Sequence, residues 1–198
     1  MKTGEYDGAA FEKARSHPWT EAASNAAFRY YDLKKEPTLI RSAMEDLIPW
    51  RKYAAIERFY LLLESLNAPG SPFESNDCAF SGPGPSEPPD PVKKFQCTGR
   101  VMILFSDLAR NLSPKDIAAL KGTLHRELMS IDVEFEHGMI GTTLIPVDFL
   151  ELPREERRGQ ELMVSFWVWG DTEPDVMTSL DRLLRNLTEA LVKVAARA

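Results

Sequence analysis

The sequence predicts an α+β protein: a four-stranded, mainly antiparallel sheet in the order β-α-β-β-β-α, with two C-terminal helices on one face and N-terminal helices on the other. Three observations carry this expectation. Four apolar or alternating runs of strand character lie between residues 100 and 169. Two helices in the same region begin with an N-cap residue close to a proline, at Ser113-Pro114 and Thr172-Glu173-Pro174. The last strand is apolar on both of its faces, so the sheet needs cover above and below.

The elements follow in chain order. Thr20 to Leu33 carries a weak helical pattern. Thr38 can cap a helix through Leu39, Met44, Leu47 and Ile48, with a break or kink at Pro49, which lacks an amide donor. Ile56, Phe59, Tyr60, Leu63 and Leu66 repeat at helical spacing and stop at Asn67-Ala-Pro-Gly. Asn67 to Phe95 holds seven of the chain's 14 prolines. Its tail from Gly82 to Pro91 is too proline-rich for a hydrogen-bonded ladder, and reads as a loop leaning to polyproline II. The stretch Phe73 to Phe80 is too apolar for a linker and is expected to pack against the fold.

Arg100 to Phe105 is a continuous apolar run, hence a strand buried on both faces. Ile117, Leu120, Leu124 and Leu128 trace one face of the helix that Ser113 caps. Ile131 to Glu136 alternates with period two and is expected to be a half-buried strand; Thr142 to Leu150 alternates again. Glu161 to Trp169 is the fourth strand, sending Leu162, Val164, Phe166 and Val168 one way and Met163, Ser165, Trp167 and Trp169 the other. Met177, Leu180, Leu184, Leu187, Leu191 and Val194 mark the buried stripe of the last helix. The chain thus divides into an N-terminal helical region (1–66), a proline-rich loop (67–95) with a packed segment at 73–80, and an α+β sandwich (96–198), forming one compact unit.

Composition narrows the function classes. A 198-residue chain can bury roughly 70% of its unfolded surface without disulfides or metals. No run of about 18 apolar residues suggests a membrane span, and the first residues lack a secretory pattern. Two cysteines are too few for a disulfide scaffold, so a reducing cytoplasm is expected. The net charge of −6 argues against nucleic acid. The densest basic cluster, Arg154, Arg157 and Arg158, is interrupted by Glu155 and Glu156 and reads as a solvated loop. No dinucleotide, P-loop, zinc-protease, serine-hydrolase or CxxC signature occurs, and no cofactor is expected.

The candidate site residues come from two places. Asn76, Asp77, Cys78 and Phe80 lie in the loop. Cys78 could be a nucleophile beside a cation, but Asp77 disfavours the thiolate, and a small apolar side chain docking the loop is the simpler role. Asn76-Asp77 can equally form an Asx-turn. Trp167 and Trp169, two residues apart on one face, could stack a flat ligand or anchor a partner protein, or simply pack under helices. Glu134, Glu136, His137 and Asp148 could gather a divalent cation, yet alternating charges are more simply a strand's wet side; no metal site is expected. Two functions remain open. One is a non-catalytic cytosolic protein that binds another protein, in the manner of an inhibitor or immunity protein, or that binds a second copy of itself. The other is a small-molecule-binding protein or enzyme whose pocket is closed by the loop near Cys78.

Overall fold

The computed structural model describes residues 1–5, 14–18, 31–86 and 93–197. The helix expected over Thr20 to Leu33 falls almost wholly outside them, as does the proline tail beyond Ser86.

The general α+β class stands, but the sheet does not have four mainly antiparallel strands. Among the described residues it is mixed and has seven: β1 (Lys2–Glu5), β2 (Arg15–His17), β3 (Phe73–Glu74), β4 (Cys78–Pro85), β5 (Phe95–Phe105), β6 (Gly138–Phe149) and β7 (Arg158–Gly170). The centre runs β6-β7-β5 with antiparallel pairing. β1 and β2 both lie parallel to β6 at one edge, while β3 and β4 lie antiparallel to β5 at the other. β1 to β4 escape sequence reading because each is short, polar or rich in glycine and proline. The tail that was expected to resist a ladder forms the end of β4, where Gly84 pairs with Gln96 and Pro85 with Phe95 after a bulge. An edge strand with a bulge can carry proline, because the missing amide need not face the neighbour.

The strand expected over Ile131 to Glu136 is a turn. Asp132 sits at φ 51°, and Phe135 N–H closes back on the Asp132 carbonyl at 3.0 Å. Arg182 grips the Asp132 carboxylate through Nε and Nη2 at 2.6 and 2.5 Å. Alternation over six residues cannot distinguish a strand from a turn whose apolar members, Ile131 and Phe135, are buried while Val133 stays 72% exposed.

The helices are α1 (Leu39–Ala43), α2 (Ala54–Leu66), α3 (Pro114–Ser130) and α4 (Glu173–Ala195). A 3₁₀ turn over Glu45–Trp50 contains Pro49, and the helix expected to run as far as that proline ends earlier, at Ala43. Ser113 Oγ accepts from Asp116 N–H at 3.2 Å and Thr172 Oγ1 from Asp175 N–H at 3.3 Å, so both C-terminal helices start on their caps.

The placement of α2 overturns the expected layering. Phe59 of α2 meets Phe166 of β7 edge-on at 6.0 Å and Phe80 of β4 at 6.2 Å. Arg58 of α2 pairs with Asp181 of α4 at 2.7 Å. Helix α2 therefore shares a face with α3 and α4 and does not roof the opposite one. Gly99 makes room for this: a Cβ there would stand 2.3 Å from Phe166 Cζ. Leu162, Val164, Phe166 and Val168 are completely buried beneath these helices.

The second face of β7 divides in two. Met163, Ser165, Trp167 and Trp169 are half-buried, whereas Glu161 at its start is 1% exposed. The reason is curvature. β2 and the β3–β4 lane lie four strand spacings apart, about 19 Å in a flat sheet. Yet Arg15 of β2 pairs with Asp77, just before β4, at 2.5 Å. The sheet rolls until its two edges touch across Glu161.

Candidate functional site

Ionisable side chains gather where the edges meet, His17 and Glu161 buried and the others partly so. Several bonds place the 71–77 stretch. Asn67 donates to Ser75 Oγ at 2.8 Å and accepts from Ser75 N–H at 3.0 Å. The Asp77 carbonyl accepts from Met102 N–H of β5 at 3.0 Å. Lys34 Nζ binds the Ser71 and Phe73 carbonyls, each at 3.0 Å. This delivers Glu74, Asn76 and Asp77 to the mouth of the roll, opposite Arg15 and His17 of β2.

The carboxylate of Asp77 bridges two guanidiniums, Arg15 at 2.5 Å and Arg100 of β5 at 3.2 Å. Asn76 Nδ2 donates to Glu161 Oε2 at 3.0 Å and lies 3.3 Å from His17 Nδ1. An ionised carboxylate can only accept, so the amide is oriented with Nδ2 towards both, and His17 Nδ1 is the acceptor. His17 Nε2 then faces Glu74 at 3.5 Å, while the imidazole ring stands edge-on to Phe149 at 5.8 Å. Burial pushes the Glu161 carboxyl up to about 6, against the pull of Arg15 and the Asn76 hydrogen bond.

Four buried side-chain polar atoms among the described residues lack a hydrogen-bond partner, and three belong to this cluster: Asn76 Oδ1, Arg100 Nε and Glu161 Oε1. Arg15 Nη1 is 3.8 Å from Glu161 Oε1, near enough for Coulomb attraction but too far for a hydrogen bond. One oxygen of Glu161 is thus fixed by Asn76 and the other makes no hydrogen bond, in a carboxyl that burial pushes up to about 6. That is the pattern of a proton acceptor, but it is sealed from solvent in this conformation.

The structure separates the sequence candidates. Asn76 and Asp77 enter the cluster. Cys78 faces the helix side in β4, its thiol pushed up to about 12 by burial and then by Asp77. Phe80 is 7% exposed, in the aromatic core with Phe59. Trp167 and Trp169 occupy the second face at the far end of β7, across from Thr98 and Gln96 of β5, with Met139 of β6 beside Trp167. Sequence reading missed Arg15, His17, Glu74, Arg100 and Glu161. Glu161 and Arg100 did leave a signal, as charged residues heading apolar strands on the parity of the tryptophans.

Glu134 and Glu136 lie on the turn rather than a strand, and among the described residues no group of three or more His, Cys, Asp or Glu is placed to hold a metal ion. An open groove of about 560 Å³ runs between Ser130 and α4, lined by Arg182, Arg185 and Lys193. Arg182 and Asn186 there are both committed to Asp132. No described helix is long and apolar enough to cross a membrane. No family model, curated protein or solved structure matches this chain.

Proposed function

We propose that the protein is a non-catalytic, cytosolic binding protein of inhibitor or immunity type, which receives a protein partner on the tryptophan end of the second sheet face. The observation that carries this reading is the position of Trp167 and Trp169. Both are half-buried on the central strand, so their rings are held by the sheet while part of each reaches solvent. Rigid, partly exposed tryptophans cost little entropy to dock and are enriched among residues that dominate binding energy. Polar Gln96 and Thr98 flank them in register, giving an apolar centre with a wettable margin. Both cysteines are free thiols, which suits a reducing compartment. An enzyme built on Cys78 would need a thiolate, and this thiol is held protonated.

Affinity capture from the source cytosol, followed by binding to the purified captured protein, tests the reading. The chain should retain one protein stoichiometrically, and a Trp167→Ala/Trp169→Ala variant that keeps the wild-type circular dichroism should bind it about 100-fold more weakly. Equal retention by the double variant would place the contact elsewhere. A wild-type dimer in sedimentation that dissociates in the variant would identify a second copy as the occupant.

A further inference from the structure

We infer that β2 is a proton-controlled flap: the closed strand seals Glu161 and its unpaired neighbours from water, and opening Arg15–His17 away from β6 hydrates them together, so the flap loosens when Glu161 ionises. The inference is independent of the partner surface, which lies at the other end of β7.

The backbone of β2 pairs with β6 over three residues, Arg15 to Val147 through His17 to Phe149, and Leu150 N–H adds a bond to the His17 carbonyl at 2.8 Å. Side chains reaching across the roll add to this hold. Around Glu161, His17 of β2 faces Glu74 and Asp77 bridges Arg15 to Arg100 of β5, while Glu161 itself meets Arg15 and Asn76. Its nearest cation is shared: Arg15 gives its short contact of 2.5 Å to Asp77 and stands 3.8 Å from Glu161. Glu161 Oε1, Asn76 Oδ1 and Arg100 Nε make no hydrogen bond in the closed state. Water can satisfy an exposed polar atom but not a sealed one, so the closed state forfeits hydrogen bonds that the open state regains.

Proton linkage sets the sign. The closed carboxyl is held at about 6 and the open one returns to its ordinary 4.5. Opening therefore releases a proton, and its equilibrium constant rises with pH, by about twenty-fold between pH 4 and pH 7. The flap is tight in mild acid and looser at neutral pH.

Native-state hydrogen exchange on the full chain tests this, with Leu150 N–H reporting the flap and core amides of α4 reporting global unfolding. After correction for intrinsic rates, Leu150 should be far less protected than α4 and should lose about twenty-fold protection from pH 4 to pH 7. The Glu161→Gln variant should keep the Leu150 signal but flatten its pH dependence. Equal protection at Leu150 and α4 would mean there is no separate flap. A pH-independent Leu150, or a slope unchanged in Glu161→Gln, would remove the proton control; the wild-type profile alone decides the first two cases.

Discussion

Replacing Gly99 with alanine tests whether α2 and α4 share one face of the sheet. The added Cβ would lie 2.3 Å from Phe166 Cζ and 2.7 Å from the Ala79 carbonyl oxygen. The oxygen belongs to β4 backbone paired with β5, so it cannot retreat without breaking the ladder. Nor is the ring free to move, because Phe59 stands against it at 6.0 Å and Phe80 backs Phe59 at 6.2 Å. Overpacking a closed core costs about 1–3 kcal/mol, and the severity of both contacts puts this case at the upper end. Alanine recovers roughly 0.5–1 kcal/mol over glycine in a strand. The net loss is therefore about 2 kcal/mol, a fall in Tm of roughly 4–8 °C for a domain of this length. Urea denaturation followed by circular dichroism measures it, with Gly84→Ala as the control: the same β4–β5 ladder, but nothing within 4 Å of the added Cβ. If Gly99→Ala stays within 0.5 kcal/mol of wild type, the aromatic wedge is not packed as described. Helix α2 would then have no reason to lie on that side.

Two further outcomes follow from the same geometry. Cys78, with its thiol at about 12, should react with iodoacetamide at pH 8 about 1,000-fold more slowly than an exposed cysteine and accelerate in urea. Fast labelling of the folded chain would contradict its packing. Glu161, raised from 4.5 to about 6, retains its proton more readily folded than unfolded, so its contribution makes stability fall as pH rises through that window and level off above it. Glu161→Gln should consequently stabilise the protein by about 2 kcal/mol at pH 7.5 and by almost nothing at pH 4, in paired urea titrations; destabilisation at pH 7.5 would show that the charge is better solvated than its burial implies.

What the sequence disclosed was local. Ser113 and Thr172 cap their helices because cap chemistry acts over three residues, and the stripes of α2, α3 and α4 follow from burial on one side of a period of 3.6. The turn at Asp132 was not legible, because it depends on Arg182, 50 residues away, holding its carboxylate. The edge strands were hidden for the same reason. Phe73 and Glu74 become β3 only because Phe105 and Leu104 are there to pair with them. The shared side of α2 and α4 rests on Gly99, whose absent side chain gives no positive signal in a linear pattern. Asn76 and Asp77 stood out as polar residues in an apolar stretch, but their partners Arg15, Arg100 and Glu161 arrive from three other strands and meet only when the sheet rolls.

The alternation of β7 links these features. Its odd-numbered residues from Glu161 to Trp169 share one face, with a buried carboxyl at one end and two half-buried rings at the other, while its even-numbered residues fill the core beneath three helices. In a flat sheet, α2, α3 and α4 on one side would give the opposite face no cover, and Glu161 there would need another. Rolling the sheet resolves this at one end only, where Arg15 reaches Asp77 and the edges close. The curvature that hides the carboxyl also stops short of Trp167 and Trp169. The sealed polar end and the aromatic end are thus two consequences of one bend, and a substitution that flattened the roll should expose Glu161 while leaving the tryptophan end unchanged.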